Sequence, residues 1–240
     1  MLIAEDFMPN SGTQRQTGQQ IVTTVPEFPA NVSNEIAVLV DPNSGFAQAM
    51  LASATKLKQM YVDGGVRSFC FTADGPQTGT TVVSVNIAAA LAAMGLKTLL
   101  IEANFSRPRL ARMFDLPADR PGLAEWIAAL HEPQSWSLFI SPAYPGLAIV
   151  HAGKAGSVPA GALTSVLPQL VSELSRIFDV VLLDAPPLED EIGLLPALAS
   201  AECTIVVARQ DMSKVGNMTR FEDIVRKSHS RLGGFIYLGA

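Results

Sequence analysis

The sequence is poor in charge, cysteine and histidine, and it has no long uninterrupted apolar run. Charged residues are 16% of the 240, with 17 Lys and Arg against 22 Asp and Glu for a formal net charge of -5. Without a basic cluster, that balance argues against broad contact with nucleic acid or an anionic membrane surface. The two cysteines, Cys70 and Cys203, lie in apolar runs that read as strands. They point to core packing in a reducing compartment rather than to a disulfide or metal framework. His131, His151 and His229 show no metal-ligand spacing with cysteine or acidic residues and read as surface or strand-end residues. No apolar segment approaches the roughly 20 residues of a membrane helix. Met1–Met8 carries Glu5 and Asp6 without a basic start, unlike an export leader. The expectation is a cytoplasmic protein with no membrane insertion of its own.

What the sequence does have is apolar content, 48%. That suits one large α/β domain with a buried sheet better than two domains. Residues 1–33 read as a flexible arm, because 9–33 is rich in Pro, Gln, Thr, Ser and Gly and cannot bury enough apolar surface to offset ordering. Residues 34–240 alternate strand and helix. The short apolar run Ile36–Val40 opens the pattern and helical spacing follows over Phe46–Tyr61. Arg67–Thr72 reads as a strand, Thr81–Met94 as an Ala-rich helix ended by Gly95, and Thr98–Ile101 as the next strand, a βαβ unit. Short helices are expected at Pro108–Phe114 and Leu123–Leu130. The second half gives strands at Leu147–Val150, Asp179–Leu183, Cys203–Ala208 and Gly234–Leu238, with helices at Ala160–Ile177, Ile192–Leu198 and Lys214–His229. The fold class is therefore α/β: a mostly parallel sheet flanked by helices on both faces, a three-layer sandwich with ligands at the carboxyl ends of the strands.

Three segments at strand ends carry the chemistry. Phe71–Thr81 lies between a strand and a helix, where a phosphate-binding loop belongs. Such a loop needs glycines for close approach, amides aimed at phosphate, a lysine on the outer oxygens and a hydroxyl on magnesium. Gly75, Pro76, Gly79 and Thr81 fit it, but Thr80 stands where the lysine belongs and Asp74 adds a carboxylate at the expected mouth. A charge pair near 4 Å at an effective dielectric near 20 is worth about 4 kcal/mol before desolvation, so the missing lysine weakens ATP binding by roughly two to three orders of magnitude. A helix dipole worth about 1 kcal/mol does not replace it. The second segment is Thr98–Pro108, with Glu102, Asn104 and Arg107. The third is Asp179–Pro187, where Asp184 ends an apolar strand and fits either a magnesium-water ligand or a turn former and helix cap.

In this order the segments resemble the bacterial tyrosine kinases of capsule and exopolysaccharide synthesis, a branch of the P-loop ATPases, over about residues 35–240. Gly75, Pro76, Gly79 and Thr81 align with the family's first motif. Glu102, Ala103, Asn104, Arg107 and Pro108 align with its Asp-Ala-Asp-x-Arg-Arg-Pro motif, and Asp184, Pro186 and Pro187 with its Asp-x-Pro-Pro motif. Gly122-Leu123 resembles the family's start to a helix, and Leu147–Gly153 its strand before the long helix. The resemblance implies a P-loop NTPase-like fold and a nucleotide site formed by Gly75, Pro76, Gly79, Thr80, Thr81 and Arg107. If magnesium binds, it would be held by Thr81, Glu102 and Asp184. The departures are Thr80 for lysine, Glu102 for the first aspartate and Asn104 for the second, which leaves Glu102 and Asp184 as vestigial catalytic residues. Gln48-Ala49-Met50-Leu51 stands where the family's charged ring-contact segment belongs, and Tyr61, Tyr144 and Tyr237 form no tyrosine cluster.

The expectation is thus a degenerate, pseudokinase-like member that regulates polysaccharide assembly through a membrane chain-length or copolymerase partner, at the inner face of the membrane. No cofactor is expected unless the altered loop still takes ATP or ADP with magnesium. One alternative is an active ATP-dependent tyrosine kinase or ATPase that uses a lysine from elsewhere, Lys97 or Lys154 by elimination or one from a partner. A second is a partition or division-site ATPase. Arg107 is expected either near the nucleotide or paired with Glu102 or a partner protein. Arg209, ending a strand, suits a loop cap better than a base contact.

Overall fold

The computed structural model describes residues 32–117, 119–128, 141–154, 158, 160–210, 212–213, 215–228 and 230–239. Nearly all of the expected arm lies outside them, as do His131 and His229. Seven strands form one sheet: β1 Ser68–Ala73, β2 Thr98–Glu102, β3 Ser141–Tyr144, β4 Leu147–Val150, β5 Val180–Asp184, β6 Cys203–Arg209 and β7 Arg231–Leu238. Their order is β3-β4-β2-β5-β1-β6-β7. Every pairing is parallel except that of β3 with β4. Strands β1, β2, β4 and β5 are buried at every position, as expected of a sheet covered on both faces.

Helices α1 Ala37–Val40, α2 Gly45–Gly64, α3 Thr80–Ala93 and α4 Leu110–Met113 supply one apolar layer. Helices α5 Leu123–Ala128, α6 Ala160–Leu174, α7 Glu191–Ser200 and α8 Val215–Lys227 supply the other. A three-layer sandwich follows from this division. Phe69 and Phe71 point into the first layer and Cys70 into the second, the two-residue period of a strand. Cys203 joins the first layer, so the sheet separates the two buried, free cysteines. Helix α3 is buried from Val83 to Ala92, and its run of alanines lets α2 and the sheet close on it from opposite sides.

Local chemistry sets the element ends. The Ser44 hydroxyl accepts from Ala47 N–H at 3.3 Å to start α2, and Gly65 at φ 67° ends it. Asp190 starts α7 by accepting from Gly193 N–H at 3.1 Å.

Three features differ from the pattern in the sequence. The run Ile36–Val40 forms the helical turn α1 instead of a strand. Asn86 of α3 holds it there, accepting from Val38 N–H at 3.0 Å and donating to Glu35 O at 2.8 Å. Val32 and Ser33, counted with the arm, belong to the domain: Val32 packs on the core and Ser33 N–H donates to Met113 O. Strand β3 was not anticipated, since Ser-Pro-Ala-Tyr has no strand alternation. It is an edge strand, where proline is tolerated, returning to β4 through Gly146 at φ 80°.

Gly122, just before α5, shows why the Gly-Leu pair matters. A Cβ there would lie 2.4 Å from His151 O and 2.5 Å from Gly153 N, both backbone atoms that cannot move aside. Gly122→Ala is expected to lower stability by about 1–3 kcal/mol through overpacking. The check is a lower guanidinium midpoint with an unchanged slope.

Candidate functional site

The carboxyl ends of β1, β2 and β5 converge on one cavity of about 690 Å³, lined by 75–81, by residues after β2 and by residues after β5. The loop leaves β1 at Ala73 and enters α3 at Thr80, which turns the amino end of a 14-residue helix toward the cavity. Gly79, at φ 99°, makes the tight entry. Gln77 has φ 62°, a left-handed conformation unusual for a residue with a Cβ. The Thr78 hydroxyl donates to Gly75 O at 3.2 Å and lies 3.3 Å from the Thr80 hydroxyl. Loop and helix thus have the shape of a phosphate cradle. Among the described residues, no lysine lines the cavity.

Beneath the loop, Thr81 Oγ1 donates to Asp184 Oδ2 at 2.7 Å, while Asp184 Oδ1 is buried without a hydrogen-bond partner among the described residues. Burial, then the neighbouring charge of Glu102, pushes the Asp184 carboxyl up to about 7, against the lowering effect of the Thr81 hydroxyl. Glu102 faces Asp184 in the β2–β5 register, but its carboxylate is already engaged. Its Oε1 accepts from the amides of Arg109 and Leu110, and its Oε2 accepts from Ala152 N–H at 3.0 Å. Burial pushes the Glu102 carboxyl up, and these amides oppose the shift. Of the three residues anticipated for magnesium, Thr81 and Asp184 meet directly, and Glu102 stands beside them with both oxygens in backbone bonds. An unpartnered carboxylate oxygen next to a threonine hydroxyl fits a hydrated magnesium ion.

The charges around the cavity differ from the sequence pattern. Asp74 does not guard the mouth. It is buried, accepting from Ser213 Oγ at 2.6 Å and from Asn217 Nδ2 at 3.4 Å, and so ties the loop to the β6–α8 connection. Arg107 is exposed on the cavity wall without an ion-pair partner among the described residues, in a turn held by the bond from its N–H to Asn104 Oδ1. It does not pair with Glu102. Lys97 precedes β2 and lies at the opposite end of that strand from the loop, so it cannot replace the missing cation. Lys154 is exposed and outside the cavity lining. Arg209 anchors a turn, its N–H donating to Ser213 Oγ at 2.9 Å and its carbonyl accepting from Met212 and Ser213, in keeping with a loop cap. His151 follows β4, buried, with Nδ1 accepting from Gly153 N–H.

Sequence reasoning missed the pairs that close the cavity rim. Arg109 is bridged to Glu35 at 2.6 Å, and Ser106 Oγ donates to Asp190 Oδ2 at 2.9 Å. Only Asp190 carried a local signal, as a cap residue before a helix. The others join positions more than seventy residues apart.

The sheet order and the strand-loop-helix at its carboxyl end define a domain of P-loop NTPase-like fold. Its homologues include bacterial tyrosine-protein kinases and a succinoglycan biosynthesis transport protein, and its structural neighbours include bacterial tyrosine kinase domains and the septum site-determining protein MinD. The tyrosine-protein kinase ptk of Acinetobacter johnsonii is 25% identical over 231 residues, 90% of this chain and 31% of that protein. The succinoglycan biosynthesis transport protein ExoP of Rhizobium meliloti is 34% identical over 114 residues, 44% of this chain and 14% of that protein. The chain thus spans less than a third of the length of either relative. The kinase domain of the Escherichia coli tyrosine kinase ETK superposes with a TM-score of 0.78 at 21% identity, covering 85% of this chain and 80% of that domain. No protein-family model matches the chain.

Two outcomes follow. Asp74→Ala strands the Ser213 hydroxyl and is expected to cost about 1–3 kcal/mol, read by chemical denaturation. The Asp184 carboxyl is raised from 3.8 to about 7, so its contribution to stability is full below pH 3.8 and lost as pH rises through 7. The stability of Asp184→Asn relative to the parent protein should therefore rise between pH 4 and pH 7 and level off above it, checked by urea unfolding across that range.

Proposed function

We propose that this chain is a tyrosine-kinase homologue of exopolysaccharide or capsule synthesis that no longer transfers phosphoryl groups efficiently and acts by binding. The observation that carries this reading is Thr80, which takes the lysine position in a cavity that no other lysine enters among the described residues. Phosphoryl transfer depends on positioned cations that neutralise the charge developing on the phosphate. Arg107 is the unpaired cation on the wall, and Arg109 is neutralised by Glu35. Thr81 and Asp184 would hold magnesium, which when bound neutralises phosphate charge. Around it the α3 amides would seat phosphate oxygens, and Asn104, in place of an acid, supplies no anionic ligand or base.

The partner in this reading is a membrane chain-length or copolymerase protein, engaged at the inner face of the membrane. The similarity to ExoP, a succinoglycan biosynthesis transport protein, supports that context. No helix among the described residues is long and apolar enough to cross a membrane.

The retained Thr81–Asp184 pair favours a second reading, a surviving Mg-dependent ATPase or kinase. Calorimetry with ATP and ADP in magnesium separates the two. Thr80→Lys should raise ATP affinity by roughly two to three orders of magnitude over the parent protein. Micromolar ATP binding by the parent protein, with phosphate release or autophosphorylation abolished in Asp184→Asn, would establish the second reading and overturn the first.

A further inference from the structure

The cavity carries a carboxylate that neither the loop motif nor the magnesium pair explains. Glu189 follows β5 and lies over the start of the loop, where its Oε1 is 4.0 Å from the position a Cβ on Gly75 would occupy. Its two sides are pinned. Leu188 N–H donates to Ala73 O at 2.8 Å, fastening the segment to the end of β1, and Asp190 caps α7. Among the described residues, the Glu189 side chain has no hydrogen-bond or ion-pair partner. The other acids near the cavity are occupied: Asp74 by Ser213 and Asn217, Asp190 by Ser106 and Gly193, Glu102 by backbone amides. Glu189 is therefore the exposed negative charge aimed at the loop.

Its location matters more than its sign. In a strand-loop-helix cradle the amides at the helix end, here Thr80 and Thr81, hold the inner phosphates. Gly75 is at the strand end of the loop, before those amides. With Thr80 in place of a lysine, no ammonium offsets a carboxylate at that point. We propose that Glu189 is the specificity-determining residue of the cavity: it repels a third phosphate and makes the site selective for a nucleoside diphosphate over the triphosphate. The proposal rests on the reading of the cavity as a nucleotide pocket.

The test uses the full chain, with and without Glu189→Gln, at protein concentrations high enough to follow weak binding. Mg-ADP and Mg-ATP are titrated by calorimetry at low and high salt. The parent protein should bind ADP about tenfold more tightly than ATP at low salt, the effect of one partly screened charge pair, and the preference should shrink at high salt. Adding Glu189→Gln should raise ATP affinity about tenfold and ADP affinity less than twofold. An unchanged ratio of the two affinities, or an equal rise in both, overturns the role of Glu189 while leaving the nucleotide pocket intact. Absence of binding to either nucleotide in the parent protein overturns the pocket and this inference together.

Discussion

A buried carboxylate organises the carboxyl end of the sheet. Glu102 ends β2 with no solvent exposure and accepts from the amides of Arg109, Leu110 and Ala152. Those bonds join the end of β2, the start of α4 and the chain leaving β4. A carboxylate in such a setting is tolerated only while its oxygens stay bonded, so the turn from Asn104 to Arg109 must keep its course. That course carries Ser106 and Arg107 to the cavity wall. Burial, and after it the charge of Glu102 across the β2–β5 pairing, makes the Asp184 carboxyl under the loop resist ionisation.

The cavity combines the backbone geometry of a phosphate cradle with few free charges. The helix end, Gly79 and the Thr81–Asp184 hydrogen bond depend on conformation more than on electrostatics. The charges around them are an arginine bridged to Glu35 and, without partners among the described residues, Arg107 and Glu189, while Thr80 opens the helix without a charge. Under the proposed reading such a site binds rather than transfers, because transfer requires charge stabilisation at the moment of reaction. Asp74 adds to the rigidity of the shape by tying the loop to the β6–α8 connection.

Much of the architecture was legible because strand runs such as Val180–Leu183 and the alanine helix are local patterns with a fixed period. The site was legible where a motif sits on a strand end, as at Gly79, Thr81 and Asp184. Readings based on one residue's charge fared less well. Asp74 looked like a guard because its position in the motif faces phosphate, but its carboxylate turns to Ser213, 139 residues away in sequence. The run Ile36–Val40 has the composition of a strand, and Asn86 holds it as a helical turn.

The amino-acid sequence by itself determined the α/β alternation, the loop between β1 and α3, the absence of a lysine from that loop and the acid at the end of β5. These are contiguous features, encoded by periodicity and residue type. Tertiary structure alone decided which charges face the cavity. Glu35 neutralises Arg109, backbone amides occupy Glu102, and Glu189 stays free above Gly75. The physical reason is that a side chain's electrostatic role depends on partners brought within a few ångströms by folding, and local patterns along the chain do not encode those distances.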